Sequence, residues 1–299
     1  MSEGKAAAVE FEDDKSSTQI DPQKINENPE EYARKIAEDR ATQYDQMAGF
    51  SVPRDFVMLP SKGKIYPTGS PLHNLEEIEV RHLTAADEDI LTSRSLLRSG
   101  KAIDAMLNNV ILNKTINTEE LISGDKNAIL TFLRITGYGA DYPVDIDCPD
   151  CNESIKHEFD LSQLKMRFLD VEPAAEGENR FSFEMPSGVY VEFKLLNSAE
   201  DNQITEEADK LKKMTNSPFE KNVTTKLKHQ IISVNGDTNR ATISHFVDNM
   251  NVRDSRAYRK HLDEIEPDVD MNQEFKCPLC GHSGEVEIPI TVGFFWPES

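Results

Sequence analysis

The chain has 299 residues, with 54 Asp and Glu against 33 Lys and Arg, for a net charge of -21. A field of that sign repels phosphate backbones and argues against nucleic acid as the main partner. No apolar run approaches the roughly 18–20 residues needed to cross a bilayer, while 37% hydrophobic residues suffice for a real core.

Residues 1–28 are rich in Glu, Asp, Ser and Lys and poor in large apolar side chains. Burial there cannot offset chain entropy, so the sequence predicts a disordered acidic tail. This N-terminus lacks the charged-then-apolar pattern of a secretory signal, and the expected location is the cytoplasm where the chain is made. Over 29–50 the pattern turns helical. Pro29 suits a first turn, Glu30 and Glu31 suit the positive end of the dipole, and Gly49 suits a stop. Tyr32, Ile36, Tyr44 and Met47 give this tethered helix a patchy apolar face, open to a partner or to the chain's own domain.

A core α+β region is expected over 51–160. Phe56-Val57-Met58-Leu59-Pro60 reads as a strand, Ser61-Lys62-Gly63-Lys64 as a turn, and Ile65-Tyr66-Pro67 as resumed extended structure. Residues 77–81 alternate like a half-buried strand. Thr84 then suits the N-cap of a helix over 85–93, with Asp87 in place of the usual Glu of a capping box. Ile103, Met106, Leu107, Val110 and Ile111 share a helical face. Asp125 opens another helix, with Ile129, Leu130, Leu133 and Ile135 inward and Gly137 and Gly139 at its end. Residues 141–147 alternate again and reach Cys148; residues 153–159 lead away from Cys151.

Residues 161–270 read as a β-hairpin and a helical insertion. The hairpin spans 181–185 and 189–195 around Ser187-Gly188. Helices are expected over 198–214, 223–234, 242–250 and 253–265, with Asn235-Gly236-Asp237 as a break. Residues 271–299 hold short strands at 273–276 and 285–291 and an aromatic ending, Phe294-Phe295-Trp296-Pro297.

All four cysteines fall in two tight pairs, Cys148-Pro149-Asp150-Cys151-Asn152 and Cys277-Pro278-Leu279-Cys280-Gly281-His282. Each is a zinc knuckle: a tight turn aims two thiolates at one point, and the next residue tolerates the turn's backbone. In a reducing compartment such pairs favour metal over disulfides. Together Cys148, Cys151, Cys277 and Cys280 make a closed tetrahedral shell for one structural zinc, with no open position for water or substrate. Ordinary ribbons leave roughly 15–20 residues between pairs. Here the helical block sits between two hairpins of one split ribbon. A redox Cys-x-x-Cys opens a helix in a βαβ context, and neither pair does. His282 is an alternative ligand or a polar turn residue.

No phosphate loop, Gly-x-Ser-x-Gly, His-Glu-x-x-His or dinucleotide fingerprint occurs. Asp87, Glu88 and Asp89 cluster, but a helix N-terminus favours acids without catalysis. The expectation is a non-enzymatic chain with no small-molecule substrate. Phe294, Phe295 and Trp296 either fold back on their own ribbon or form a partner contact, since aromatic clusters dominate interface hot spots. The alternative function is a zinc-ribbon protein in nucleic-acid transactions. It requires a basic surface, and the one basic concentration, over 210–260, is helical and interspersed with acids.

Several stretches resemble a family of T-even-type bacteriophage baseplate proteins. They are Phe56-Val57-Met58-Leu59-Pro60-Ser61-Lys62-Gly63 with Tyr66-Pro67, the run Leu83-Thr84-Ala85-Ala86-Asp87-Glu88-Asp89-Ile90-Leu91-Thr92-Ser93, and residues 122–142 with Gly124-Asp125-Lys126-Asn127-Ala128-Ile129 and Arg134-Ile135-Thr136-Gly137-Tyr138-Gly139. The knuckle at Cys148 and the Phe-Phe-Trp-Pro ending fit as well. The resemblance implies a baseplate hub component or a hub and tail assembly chaperone. Its partners would be other phage baseplate or tail proteins, met in the host cytoplasm during assembly or in the virion tail. The expected fold is α+β: a mixed helix-and-strand domain with a split four-cysteine zinc ribbon and a helical insertion between its two knuckles.

Overall fold

A computed structural model describes residues 52–215, 222–288, 290 and 292–295. The expected tail over 1–28 and helix over 29–50 lie outside the described residues, as does Trp296.

Strand β1 (Arg54–Met58) pairs antiparallel with β2 (Glu77–Arg81). Their alternation buries Val57, Ile78 and Val80. Helix α1 (Ala85–Thr92) begins at the expected N-cap, Thr84. The Asp87 carboxylate accepts from the Thr84 N–H and hydroxyl, both at 2.8 Å. It also takes two Arg81 bonds, at 2.6 and 2.8 Å, and one from Asn109 at 2.7 Å. A short α2 (Arg94–Arg98) and α3 (Ala102–Val110) follow, and Met106, Leu107 and Val110 of α3 are buried.

Helix α4 (Ser123–Tyr138) is the central element. Ile129, Leu130 and Leu133 are buried as the periodicity requires, and Ile135 is half-buried. Gly139 ends the helix, but Gly137 stays inside it, where the Leu83 side chain would lie 3.1 Å from a Cβ at that position. Then come β3 (Asp141–Asp147) and β4 (Ser154–Asp160), an antiparallel hairpin, and β5 (Lys165–Arg167), which pairs far along the chain with β9 (Asp268–Asp270).

The expected hairpin is present as β6 (Phe181–Glu184) and β7 (Tyr190–Phe193), followed by α5 (Ser198–Thr215). One expectation is corrected. Residues 223–234 are two elements, α6 (Asn222–Gln230) and β8 (Ile231–Val234). Ile231, Ile232 and Val234 are β-branched, and the open edge of β7 offers them a ladder, giving the sheet order β6-β7-β8. Helices α7 (Arg240–Asp248) and α8 (Val252–Ile265) are capped by the Asn239 and Asn251 side chains. Finally β10 (Asn272–Lys276) and β11 (Ser283–Glu287) pair, the latter ending short of the expected 291. The class is α+β, and most of the buried hydrophobic residues described between Val57 and Phe295 form one continuous cluster.

The stretches 56–67 and 122–142 meet inside that cluster. Asp125 is fully buried in the first turn of α4. It accepts from the Ser61 N–H at 2.9 Å, the Ser61 hydroxyl at 2.6 Å and the Tyr66 hydroxyl at 2.6 Å. The Tyr66 oxygen in turn accepts from the Ile122 N–H at 3.1 Å. Burial raises the Asp125 pKa, opposed by these three donors. Gly124 beside it admits the chain returning from α8: a Cβ there would lie 1.8 Å from the Pro267 carbonyl oxygen.

Two measurements test this frame. Asp125→Ala strands three buried donors, and urea unfolding should show a loss of about 3–5 kcal/mol. The Asp87 carboxyl behaves differently. Burial alone would raise its pKa, but the Arg81 and Thr84 bonds outweigh burial and hold it low. Its contribution is therefore complete above the unfolded value of about 3.9 and is lost as pH falls through the depressed folded value. Asp87→Asn should destabilise at pH 6, and the gap to the parent chain should shrink as thermal unfolding is followed down to pH 3.

Candidate metal centre

The two cysteine pairs occupy equivalent hairpin tips. In the first, Asp147 pairs with Ser154; in the second, Lys276 pairs with Ser283. The six residues between them close by the same two bonds. Cys148 N–H donates to the Glu153 carbonyl at 3.0 Å and Asn152 N–H to the Cys148 carbonyl at 2.9 Å. Cys277 N–H donates to the His282 carbonyl at 2.8 Å and Gly281 N–H to the Cys277 carbonyl at 2.9 Å. Each turn requires a left-handed residue after its second cysteine: Asn152 has φ 55° and Gly281 φ 78°. Asn and Gly are the residues that adopt this conformation most readily.

The inward faces of the hairpins hold these tips in place. Tyr142, Ile146, Ile155 and Phe159 are buried in one, and Phe275 in the other. Their outward faces carry exposed Asp145, Asp147, Asp150, Glu153, Glu158 and Asp160, with Glu274, Glu285 and Glu287.

Across the two tips, Cys148 Sγ lies 3.7 Å from Cys280 Sγ, and Cys151 Sγ lies 3.8 Å from Cys277 Sγ. All four sulfurs lie within 4.8 Å of one another. A disulfide would bring sulfurs to about 2.05 Å. Four thiolates at roughly 2.3 Å from a tetrahedral ion stand roughly 3.8 Å apart. The donor set and spacing therefore fit one tetrahedral thiophilic cation, with all four positions filled by protein. The free cysteines also divide the proton load. The Cys280 N–H bonded to its sulfur is first among the causes that hold Cys277 down to about 7. The His282 N–H pulls on Cys280 likewise, but desolvation and the neighbouring sulfurs outweigh it and push that thiol up to about 12. A cation would displace the retained protons.

His282 stands apart from this cluster; its ring lies 6.2 Å from that of Phe275. Asp87 is committed to Arg81, Thr84 and Asn109, which gives the acidic run at the start of α1 a structural explanation. The aromatic ending requires a correction. Phe294 and Phe295 are fully buried against their own domain, so the partner-contact reading fails for these two rings. Phe294 packs on Tyr142 at 5.3 Å and Phe295 on Tyr138 at 6.3 Å, between ring centroids.

Arg134, which opens the family-like run ending in Gly137-Tyr138-Gly139 but is given no role by the sequence, secures this ending. It is fully buried, and its guanidinium bonds three carbonyls: Phe294 at 2.8 Å, Gly139 at 2.5 Å and Asp141 at 3.0 Å. The rings of Tyr138 and Tyr142 flank it, each 5.7 Å away. The same side chain thus ties the end of α4, the start of β3 and the C-terminal segment together. Its sequence signal is its place in the family-like run, which assigns it no role.

A family model described as T4 bacteriophage base plate protein matches residues 54–296. No curated protein and no solved structure matches the chain.

If one ion joins the two tips, Cys148→Ser and Cys277→Ser should each unfold the chain at lower urea. The double variant should then be little worse than either single one. Additive losses would assign the pairs to separate roles.

Proposed function

This chain belongs to the T4 bacteriophage base plate protein family, and from that premise we propose that it works in the baseplate hub by protein–protein contact, without catalysis. Its role is either that of a resident hub subunit or that of a chaperone that builds the hub and tail. The observation that carries the reading is the span of the family match, which takes in both knuckles and the frame between them. In this reading one structural zinc on Cys148, Cys151, Cys277 and Cys280 supplies folding energy and no chemistry of turnover. The partners are other baseplate or tail proteins. Exposed acids on both hairpins speak against the alternative of a ribbon for nucleic acid, because phosphates are repelled there.

Purified particles of the encoding phage, quantified by mass spectrometry, test the role. A fixed copy number identifies a resident subunit. Absence from the particle, with hubs failing to form when the gene is deleted, identifies a chaperone. Complete hubs without the gene and no copies in the particle would sink the proposal. Elemental mass spectrometry tests the metal: one zinc per chain is expected, lost in Cys277→Ser/Cys280→Ser although Cys148 and Cys151 remain. Zinc retained in that variant would break the shared site.

A further inference from the structure

Helix α8 packs one face into the core and turns the other outward. Tyr258, Leu262 and Ile265 are buried on the inner face, and the His261 ring stacks on Phe183 at 4.5 Å between centroids. At about 3.6 residues per turn, the outer face carries Val252, Arg253, Arg256, Arg259 and Lys260. All five are exposed, Val252 to 74%. The sequence intersperses acids among these cations, but the structure removes them from the outer face of the first two turns. Asp254 is buried, and its carboxylate accepts from the Ser187 N–H at 3.1 Å and the Asn251 side chain at 2.7 Å. Asp263 and Glu264 stand in the last turn.

The cations on this face are available. Among the described residues, Arg253 and Arg256 make no ion pair and no side-chain hydrogen bond. Arg259 donates through Nε to the Ser255 carbonyl of its own helix, at 3.3 Å. Lys260 has one partner, the exposed Glu264, at 3.6 Å. Within the chain the arrangement is unfavourable. Arg256 has Arg253 and Arg259 three positions away and Lys260 four away, so three like-charge neighbours crowd one face. Arg253 also stands at the positive end of the helix dipole. We propose that the outer face of α8 docks an acidic segment of a partner protein. Its carboxylates meet Arg253, Arg256 and Arg259, each guanidinium offering two parallel bonds, and an apolar side chain covers Val252. Protein fits this face better than nucleic acid. The row from Arg253 to Lys260 is about 10 Å long. A phosphate backbone running past it meets Asp263, Glu264 and a chain of net charge -21. The assignment is independent of the metal and of the hub role, because it is read from α8 alone.

The test uses the full chain and three fluorescent probes. They are a helical peptide with Glu and Leu repeating along one face, the same peptide with Gln for every Glu, and a short DNA duplex. Anisotropy at low salt should show the Glu peptide binding about tenfold or more tighter than either other probe. That binding should fade as salt is raised. Arg256→Glu should weaken the Glu peptide by about tenfold or more, and Arg253→Gln/Arg259→Gln should weaken it without reversing any charge. Arg256→Glu should also raise the urea midpoint, because three like-charge neighbours become opposite-charge ones. A face that served only the chain's own fold would lose stability on that change. Four outcomes overturn the proposal. They are equal binding of the two peptides, tighter binding of the duplex, undiminished binding by the variants, and a lowered urea midpoint for Arg256→Glu. Tighter binding of the duplex would assign the face to nucleic acid instead.

Discussion

The structure depends on closing one long loop. Cys148 and Cys280 are 132 positions apart, and Cys151 and Cys277 are 126 apart. Bringing the ends of a flexible loop of that length together costs about 4 kcal/mol before any contact repays it. Several contacts share that cost along one seam beside α4. Gly124 lets Pro267 approach, the Asn127 side chain donates to Asp268 at 3.0 Å, β5 pairs with β9, and Arg134 holds the Phe294 carbonyl. The four sulfurs sit at one end of this seam. They close a loop whose ends the protein has already brought together, so the site reads as a staple on a formed seam.

Within that seam α4 has two polar anchors at opposite ends. Asp125 near the N-terminus gathers three donors from residues 61–66. Arg134 near the C-terminus gathers three carbonyls from β3, the helix end and the closing segment. Both are buried, and a buried charge is tolerated only where its hydrogen bonds are filled. The anchors explain why the family-like stretches lie apart in sequence and together in space. The 56–67 stretch, the 122–142 stretch and the aromatic ending are three strips gathered along one helix.

What the sequence disclosed follows from which signals are local. A knuckle is written in five consecutive residues, so both tips and their flanking strands were readable. The helix cap at Thr84 and the alternation of β2 and β3 were equally local. The boundary inside 223–234 was hidden because Leu227 and Ile231 continue a helical spacing; only the pairing of β8 with β7, from a distant segment, ends the helix at Gln230. Asp125 was legible as a helix opener and Arg134 as one member of a family-like run, but neither was legible as a buried anchor. Asp125 draws its partners from 59 and 64 positions away, and Arg134 adds to two nearby carbonyls the Phe294 carbonyl 160 positions away; no window on the sequence contains these distant partners. The same limit applied to Phe294 and Phe295. Aromatic residues at the end of a chain suit an anchor or a core equally, and the pocket between Tyr138 and Tyr142 decides between them.

Burying those rings changes where contact with other proteins has to be sought. Phe294 and Phe295 are spent on the chain's own closure, and the strands of both cysteine hairpins carry exposed acids. Among the described residues, β1 and β5 each pair with one strand only, and both carry exposed large apolar side chains: Phe56 and Met58 on β1, Met166 on β5. An edge of this kind is a hazard in a free protein, because any extended chain can add to it. The hazard is reduced by the net charge of the chain as a whole. A second copy approaching the edge brings its own net charge of -21 and is repelled at long range. In a chain of this net charge, an open edge is guarded at long range against adhesion to self.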